Sequence, residues 1–305
     1  MPRLADIAPE SILLAGAGRA ILLQIANPAI GYGVARHSDF ASHPMKRLNA
    51  TLSYVYALAN GSTDDIRAMR KAVNRAHAPV SNPPRAAGGG HRAHAEVDPK
   101  SGPAGAVGAG AVDGVAPHHG DPRYDARDPE LQLWVAATLY DTAITMYEAT
   151  YGPLAPDDAE RVYREYSVLG TSLQMPPELW PPTRAAFRDY WDRSVAALHV
   201  DDTVRGVAEA LLKARNAPLP IRAAMPVARF VTVALLPDSL RHAFGFTWSS
   251  AQQRRFDRVM AVSTRVYRVL PERLRRWPNR HYLARIRTAY GAPTTAATAT
   301  RNRTV

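Results

Sequence analysis

His77 closes a run of residues whose spacing could carry it to a protein core. Ile66, Arg70, Val73 and His77 recur at intervals of four, three and four, which puts them on one stripe of a helix. A neutral imidazole there can offer one nitrogen to a metal and the other to an acceptor that orients the ring. It can equally be a hydrogen-bonded core histidine, and the residues alone favour that reading. On the preceding stretch Arg47 and Thr51 stand one helical turn apart, and Tyr54 and Leu58 extend their face. Turned inward, an arginine and a hydroxyl would suit a buried anion. Turned outward, they are a surface arginine and a backbone-bonded threonine, which is the favoured reading in isolation. His37 and Asp39 lie in the connecting ARHSDF segment. Ser38 or Asp39 could cap the next helical turn, or the segment could line a pocket, and chemistry alone leaves the two readings even.

Other constellations have structural explanations. Gly16 and Gly18 (AGAGRA) have no strand before them and no third glycine to complete a nucleotide-loop fingerprint. Close packing of two helices explains them better. The pairs Asp64/Asp65, Asp157/Asp158 and Asp201/Asp202 each sit at an expected helix start, where the helix dipole favours them without catalysis. No H-E-x-x-H, G-x-S-x-G or EF-hand loop occurs.

Helical periodicity runs through the chain, and no alternating strand pattern with hairpin signals recurs. Residues 11–35 read as a helix bent or broken at Asn27-Pro28. Helices follow over 44–60 and 63–77, punctuated by Pro44, Gly61 and Pro79. Further helices are expected over 128–150, 156–173, 183–199, 201–213, 225–236, 249–270 and 271–290. The 225–236 stretch is apolar nearly all round and is expected to be buried on most faces. Residues 78–123 carry nine of the 19 glycines and seven prolines. They cannot bury enough surface to offset chain entropy and read as a flexible insertion. His91, His94, His118 and His119 within it could bind divalent metal weakly, but a disordered insert is the preferred reading. Residues 291–305 read as a disordered tail. One helical domain over 1–290 is therefore expected.

Composition excludes several classes of function. The chain has 305 residues, no cysteine, 46% hydrophobic and 21% charged residues. A disulfide scaffold, a cysteine-ligated metal and a thiol nucleophile are ruled out. Asp6 and Glu10 stand where a signal peptide needs a basic and then an apolar stretch, so the reading is cytoplasmic. The formal charge is +11. Residues 251–305 hold 13 arginines against Asp257 and Glu272, so this segment accounts for the whole excess. A basic helical end of this kind suits peripheral contact with anionic membrane through residues 251–290 better than nucleic acid, which is not expected as a partner.

Several segments in order resemble one family. They are GAGRAILLQIANPAIGYGVARHSDF, the R-x-x-x-T of Arg47 and Thr51, His77, YDARDPELQLWVAATLYD from Tyr124, and LLPDSLRHAFGFTW from Leu235. Over about residues 5–285 the chain is similar to the MpaB-type oxygenases, whose catalytic domain is shared with the latex-clearing rubber oxygenases. The resemblance implies an all-α fold, a single helical domain with globin-like packing around one b-type haem. It implies that His77 binds the haem iron, with Arg47 and Thr51 supporting the cofactor. It implies dioxygen opposite His77 and a lipophilic, isoprenoid-like substrate, with His37 and then Asp39 as candidates for the distal catalytic group. Rubber-cleaving members carry a lysine where this chain has Ala50, and similar sequences read A-H-P where it has Ala26-Asn27-Pro28. Rubber cleavage is therefore not carried over. The alternative is a non-enzymatic haem or lipophile-binding protein of the same fold.

Overall fold

The computed structural model describes residues 1–37, 44–82 and 121–290. Asp39, most of the expected insertion with its four histidines, and residues 291–305 lie outside the described residues. The described residues form helices α1 (Leu4–Ile7), α2 (Ala17–Ile25), α3 (Pro28–His37), α4 (Pro44–Asn60), α5 (Thr63–His77), α6 (Pro129–Tyr151), α7 (Pro156–Tyr166) and α8 (Val168–Thr171). They continue with α9 (Arg184–Ala196), α10 (Asp202–Lys213), α11 (Leu219–Leu235), α12 (Asp238–Ala243), α13 (Ser250–Val269), α14 (Glu272–Arg275) and α15 (Trp277–Tyr290). Among the described residues the only β pairing is one isolated antiparallel bridge, Ser81 to Asp125. The all-α expectation holds.

The fold is built around α6. Its buried residues include Leu133, Trp134, Ala136, Ala137, Thr138 and Tyr140, consecutive enough to cover every side of the helix. The ring of Tyr140 meets Tyr163, Tyr166 and Phe187 edge-on, with centroids 5.0–5.2 Å apart, a favoured aromatic geometry. The first apolar run bends as expected at Asn27-Pro28. The stretch Ser11–Ile25 meets Pro28–His37 at 101°. Asn27 Oδ1 accepts the Ala29 N–H at 3.0 Å and so stabilises the new start. Among the described residues no single helix is long and apolar enough to cross a membrane.

Gly16 and Gly18 are packing glycines. A Cβ on Gly18 would lie 2.0 Å from Thr232 Oγ1 of α11, and one on Gly16 would lie 2.5 Å from Thr142 Cγ2 of α6. The pair lets the start of α2 press between those two helices. Arg19 beside them is buried and reaches Asp141 at 2.6 Å.

Three expected elements differ. The 225–236 helix begins earlier, at Leu219, and its first half faces solvent, with Leu219 and Val227 exposed. Only Val231, Thr232 and Val233 are buried along it. The 156–173 helix breaks at Ser167, whose hydroxyl donates to the Arg164 carbonyl at 2.7 Å and competes with the helical ladder. The last helix is interrupted at Arg276 (φ −99°, ψ 10°).

Candidate functional site

The hairpin of α4 and α5 positions the first two candidates. Ser62 caps α5: its Oγ accepts the Asp65 N–H at 3.2 Å, and Asp65 Oδ2 accepts the Ser62 N–H at 2.9 Å. Burial alone would raise the Asp65 carboxyl. The Ser62 hydrogen bonds and Arg287 outweigh it and hold the group below its usual range. With so short a turn, α4 and α5 run antiparallel. Arg47 near the start of α4 and His77 at the end of α5 then meet at the open end. Their proximity is felt electrostatically. Burial, assisted by the positive Arg47 and opposed by Asp125, pushes the His77 imidazole down to about 4. His77 is therefore neutral at pH 7.

His77 Nδ1 is buried and has no hydrogen-bond partner among the described residues. Such an atom is costly unless something outside the chain engages the ring. Arg47 is reachable by water yet enclosed by enough protein that desolvation lowers its pKa. Thr51 is half-buried one turn along, and Tyr54 and Leu58 are buried beyond it. The Arg47–Leu58 face thus leads from the open end into the core. Arg70 does not belong on a buried stripe. It is exposed and donates to the Ser172 carbonyl at 2.6 Å, while Asp65 and Met69 are the buried residues of α5.

A strap from the chain beyond the insertion closes this end. Asn82 N–H donates to the Tyr124 carbonyl at 3.0 Å, and Ala126 N–H to the Val80 carbonyl at 2.9 Å. The Asn82 amide clasps the same strap. It accepts from the Tyr124 N–H at 2.7 Å and donates to the Pro122 carbonyl at 3.0 Å. The strap also holds α3. Arg36 makes a two-point contact with Asp121 at 3.1 and 3.3 Å. The hydroxyl of the buried Tyr124 lies 2.8 Å from His37 Nε2. His37 is exposed, and partial desolvation lowers its pKa; burial raises that of Tyr124.

The structure thus gathers His37, Arg47 and His77 at one end of the fold. It leaves Asp39 outside the described residues. It adds Tyr124 and Asp125, which sequence reading did not single out as site residues. The signal available was topological: an insertion must leave and re-enter the fold at neighbouring points, so residues on either side of it pair. Among the described residues no three His, Asp or Glu side chains converge as they would to cage a bare ion. Two clefts of about 230 and 300 Å³ lie elsewhere, sharing Arg229, Gly245 and Phe246 in their lining. Neither includes a residue of the His77 site.

Comparison with known proteins identifies the family of the chain. Residues 6–265 match the family described as ER-bound oxygenase mpaB/B'/Rubber oxygenase, catalytic domain. Uncharacterized proteins of Mycobacterium tuberculosis (Rv2237) and Mycobacterium bovis (Mb2261) are each 33% identical over 258 residues. The matched region covers 83% of this chain and 88% of each relative. No solved structure matches. With the match spanning both the α4–α5 hairpin and the strap, the chain belongs to the MpaB/rubber oxygenase catalytic-domain family.

Proposed function

We propose that this protein is a haem b-dependent oxidoreductase, an oxygenase acting on a lipophilic, isoprenoid-like substrate. The observation that carries the reading is the buried, unpartnered Nδ1 of a neutral His77 beside Arg47. The donor set fits haem rather than a bare ion. A macrocycle brings most of its metal's ligands with it and would ask the protein for few, whereas a bare ion needs three or more side chains. His77 would hold the iron through a ring nitrogen. Arg47 offers a cation to a propionate, and Thr51 a hydroxyl on the same face. When bound, haem would supply the oxygen chemistry. The packing of helices around it would be globin-like.

The chain's own residues have definable roles. His77 stays neutral at physiological pH, as a ligand must. His37 is the first candidate for the distal catalytic group, since its ring can exchange a proton with the Tyr124 hydroxyl. Asp39 is the second. Ala50 provides no charged group before Thr51, so the substrate proposed is a lipophile other than rubber. The second reading, a non-enzymatic haem or lipophile carrier, keeps the same site without turnover.

The test is spectroscopic. Purified protein reconstituted with haem should give a Soret band, and His77→Ala should lose most of it. Absence of the band from the wild type would remove the proposal. Consumption of oxygen with a reductant and a polyprenyl probe separates enzyme from carrier.

A further inference from the structure

We propose that the solvent face of α13, together with exposed side chains of α14 and the start of α15, docks on an anionic lipid bilayer. The inference does not rest on the haem reading. Arg255, Arg258, Val262 and Arg265 follow one another at three- and four-residue steps, Val266 and Val269 lie four residues beyond Val262 and Arg265, and all six share one side of the helix. Every one of them is exposed, and Val269 is 81% exposed. Thr264 and Tyr267, on the opposite side, are the buried residues of α13. Beyond the helix Leu274 and Trp277 are also exposed, at 60% and 56%.

A helix side turned only to water has no use for three valines, and a contiguous exposed apolar patch marks an interaction surface. Nor are its charges neutralised. Arg255, Arg258 and Arg265 make no ion pair with a carboxylate among the described residues. The occupant must therefore present apolar matter and negative charge together. A second copy of this face would bring arginine against arginine. The two longer segments outside the described residues do not complement it. Residues 83–120 balance three bases with three acids, and residues 291–305 add two arginines and no acid. Neither segment contains an aromatic, leucine or isoleucine. Nucleic acid would satisfy the arginines and leave the valines in water. An anionic bilayer satisfies both: headgroup phosphates meet the guanidinium groups, valine and leucine enter the acyl boundary, and Trp277 has the amphipathic ring favoured at that depth.

The test uses full-length protein and phosphatidylcholine vesicles with and without phosphatidylglycerol, with binding read by flotation. The intact chain should float with the anionic vesicles and only weakly with the neutral ones. Replacing Arg255, Arg258 and Arg265 together by Gln should weaken anionic binding about a hundredfold, since each cation near the surface contributes about 1 kcal/mol. Replacing Val262, Val266 and Val269 together by Gln should weaken it to a similar extent with all arginines present. These side chains are exposed, so circular dichroism and the melting temperature should match wild type and exclude misfolding. Unchanged binding by the valine variant would overturn the proposal, because the arginines alone would then account for adsorption. Equal binding to neutral vesicles would also overturn it. So would a dimer that the valine substitutions dissociate, in a protein that floats with neither vesicle.

Discussion

Tyr124 places its hydroxyl 2.8 Å from His37 Nε2, joining a residue after the insertion to the last residue of α3. The phenol is buried, and Asn82 fixes its backbone on both sides. In haem-loaded protein, Tyr124→Phe and His37→Ala should leave Soret absorbance near wild type. They should lower oxygen-dependent turnover by about a hundredfold, the scale of general acid–base catalysis. Loss of haem equal to that of His77→Ala would instead assign the pair to holding the cofactor.

Haem retention should follow the His77 ring. A protonated imidazole cannot ligate, so loss of ligation tracks the folded-state pKa. Burial, then Arg47, depresses that value from 6.5 to about 4. A depressed base favours the neutral form in the fold. Its contribution to stability is present above the unfolded value and is lost as pH falls toward the folded one. A Soret titration should therefore hold through pH 6.5 and show release with a midpoint at or below about 4. Release centred near 6.5 would mean that the ligand is a solvated histidine elsewhere.

The α4–α5 hairpin was legible because local chemistry punctuates it. Pro44 begins one helix, and Ser62 with Asp65 caps the next. Both therefore run over the expected residues, 44–60 and 63–77, with Arg47 and His77 at the open end. The break at Ser167 was hidden, since a hydroxyl bonding back to a carbonyl leaves no trace in hydrophobic period. Apolar composition misled over α11, whose exposed first half resembles a core helix in sequence. Tyr124 escaped because contacts among residues 37, 82 and 124 depend on how the insertion closes. No helical repeat encodes such a contact.

Gly18 tests the packing explanation of the AGAGRA segment. An alanine there would bring Cβ to 2.0 Å from Thr232 Oγ1, and both helices are held by their other neighbours. Gly18→Ala should cost about 2–3 kcal/mol, as overpacking does. In a Thr232→Ala background the clashing oxygen and methyl are gone, so the same substitution should cost clearly less. Urea unfolding of the four proteins measures the difference. Equal costs in both backgrounds would refute the clash between α2 and α11.

Arg19 and Asp141 make a different prediction, because their pairing is buried. Arg19 Nη2 approaches Asp141 Oδ2 at 2.6 Å, while Nη1 donates to Thr142 Oγ1 and Nε to the Leu235 carbonyl, each at 2.8 Å. One guanidinium thus ties α2 to α6 and to the end of α11. Burial pushes the Asp141 carboxyl up against the pull of Arg19. Arg19→Met leaves that carboxylate without its cation and should cost about 3 kcal/mol. Arg19→Met combined with Asp141→Leu removes both charges and should be more stable than Arg19→Met alone. Breaking a buried pair is penalised mainly through the charge that remains. If the double variant is instead no more stable than Arg19→Met alone, the unpaired carboxylate costs little and the loss lies in the ties to Leu235 and Thr142, which both variants lack. The ion pair would then contribute little to holding α2 against α6.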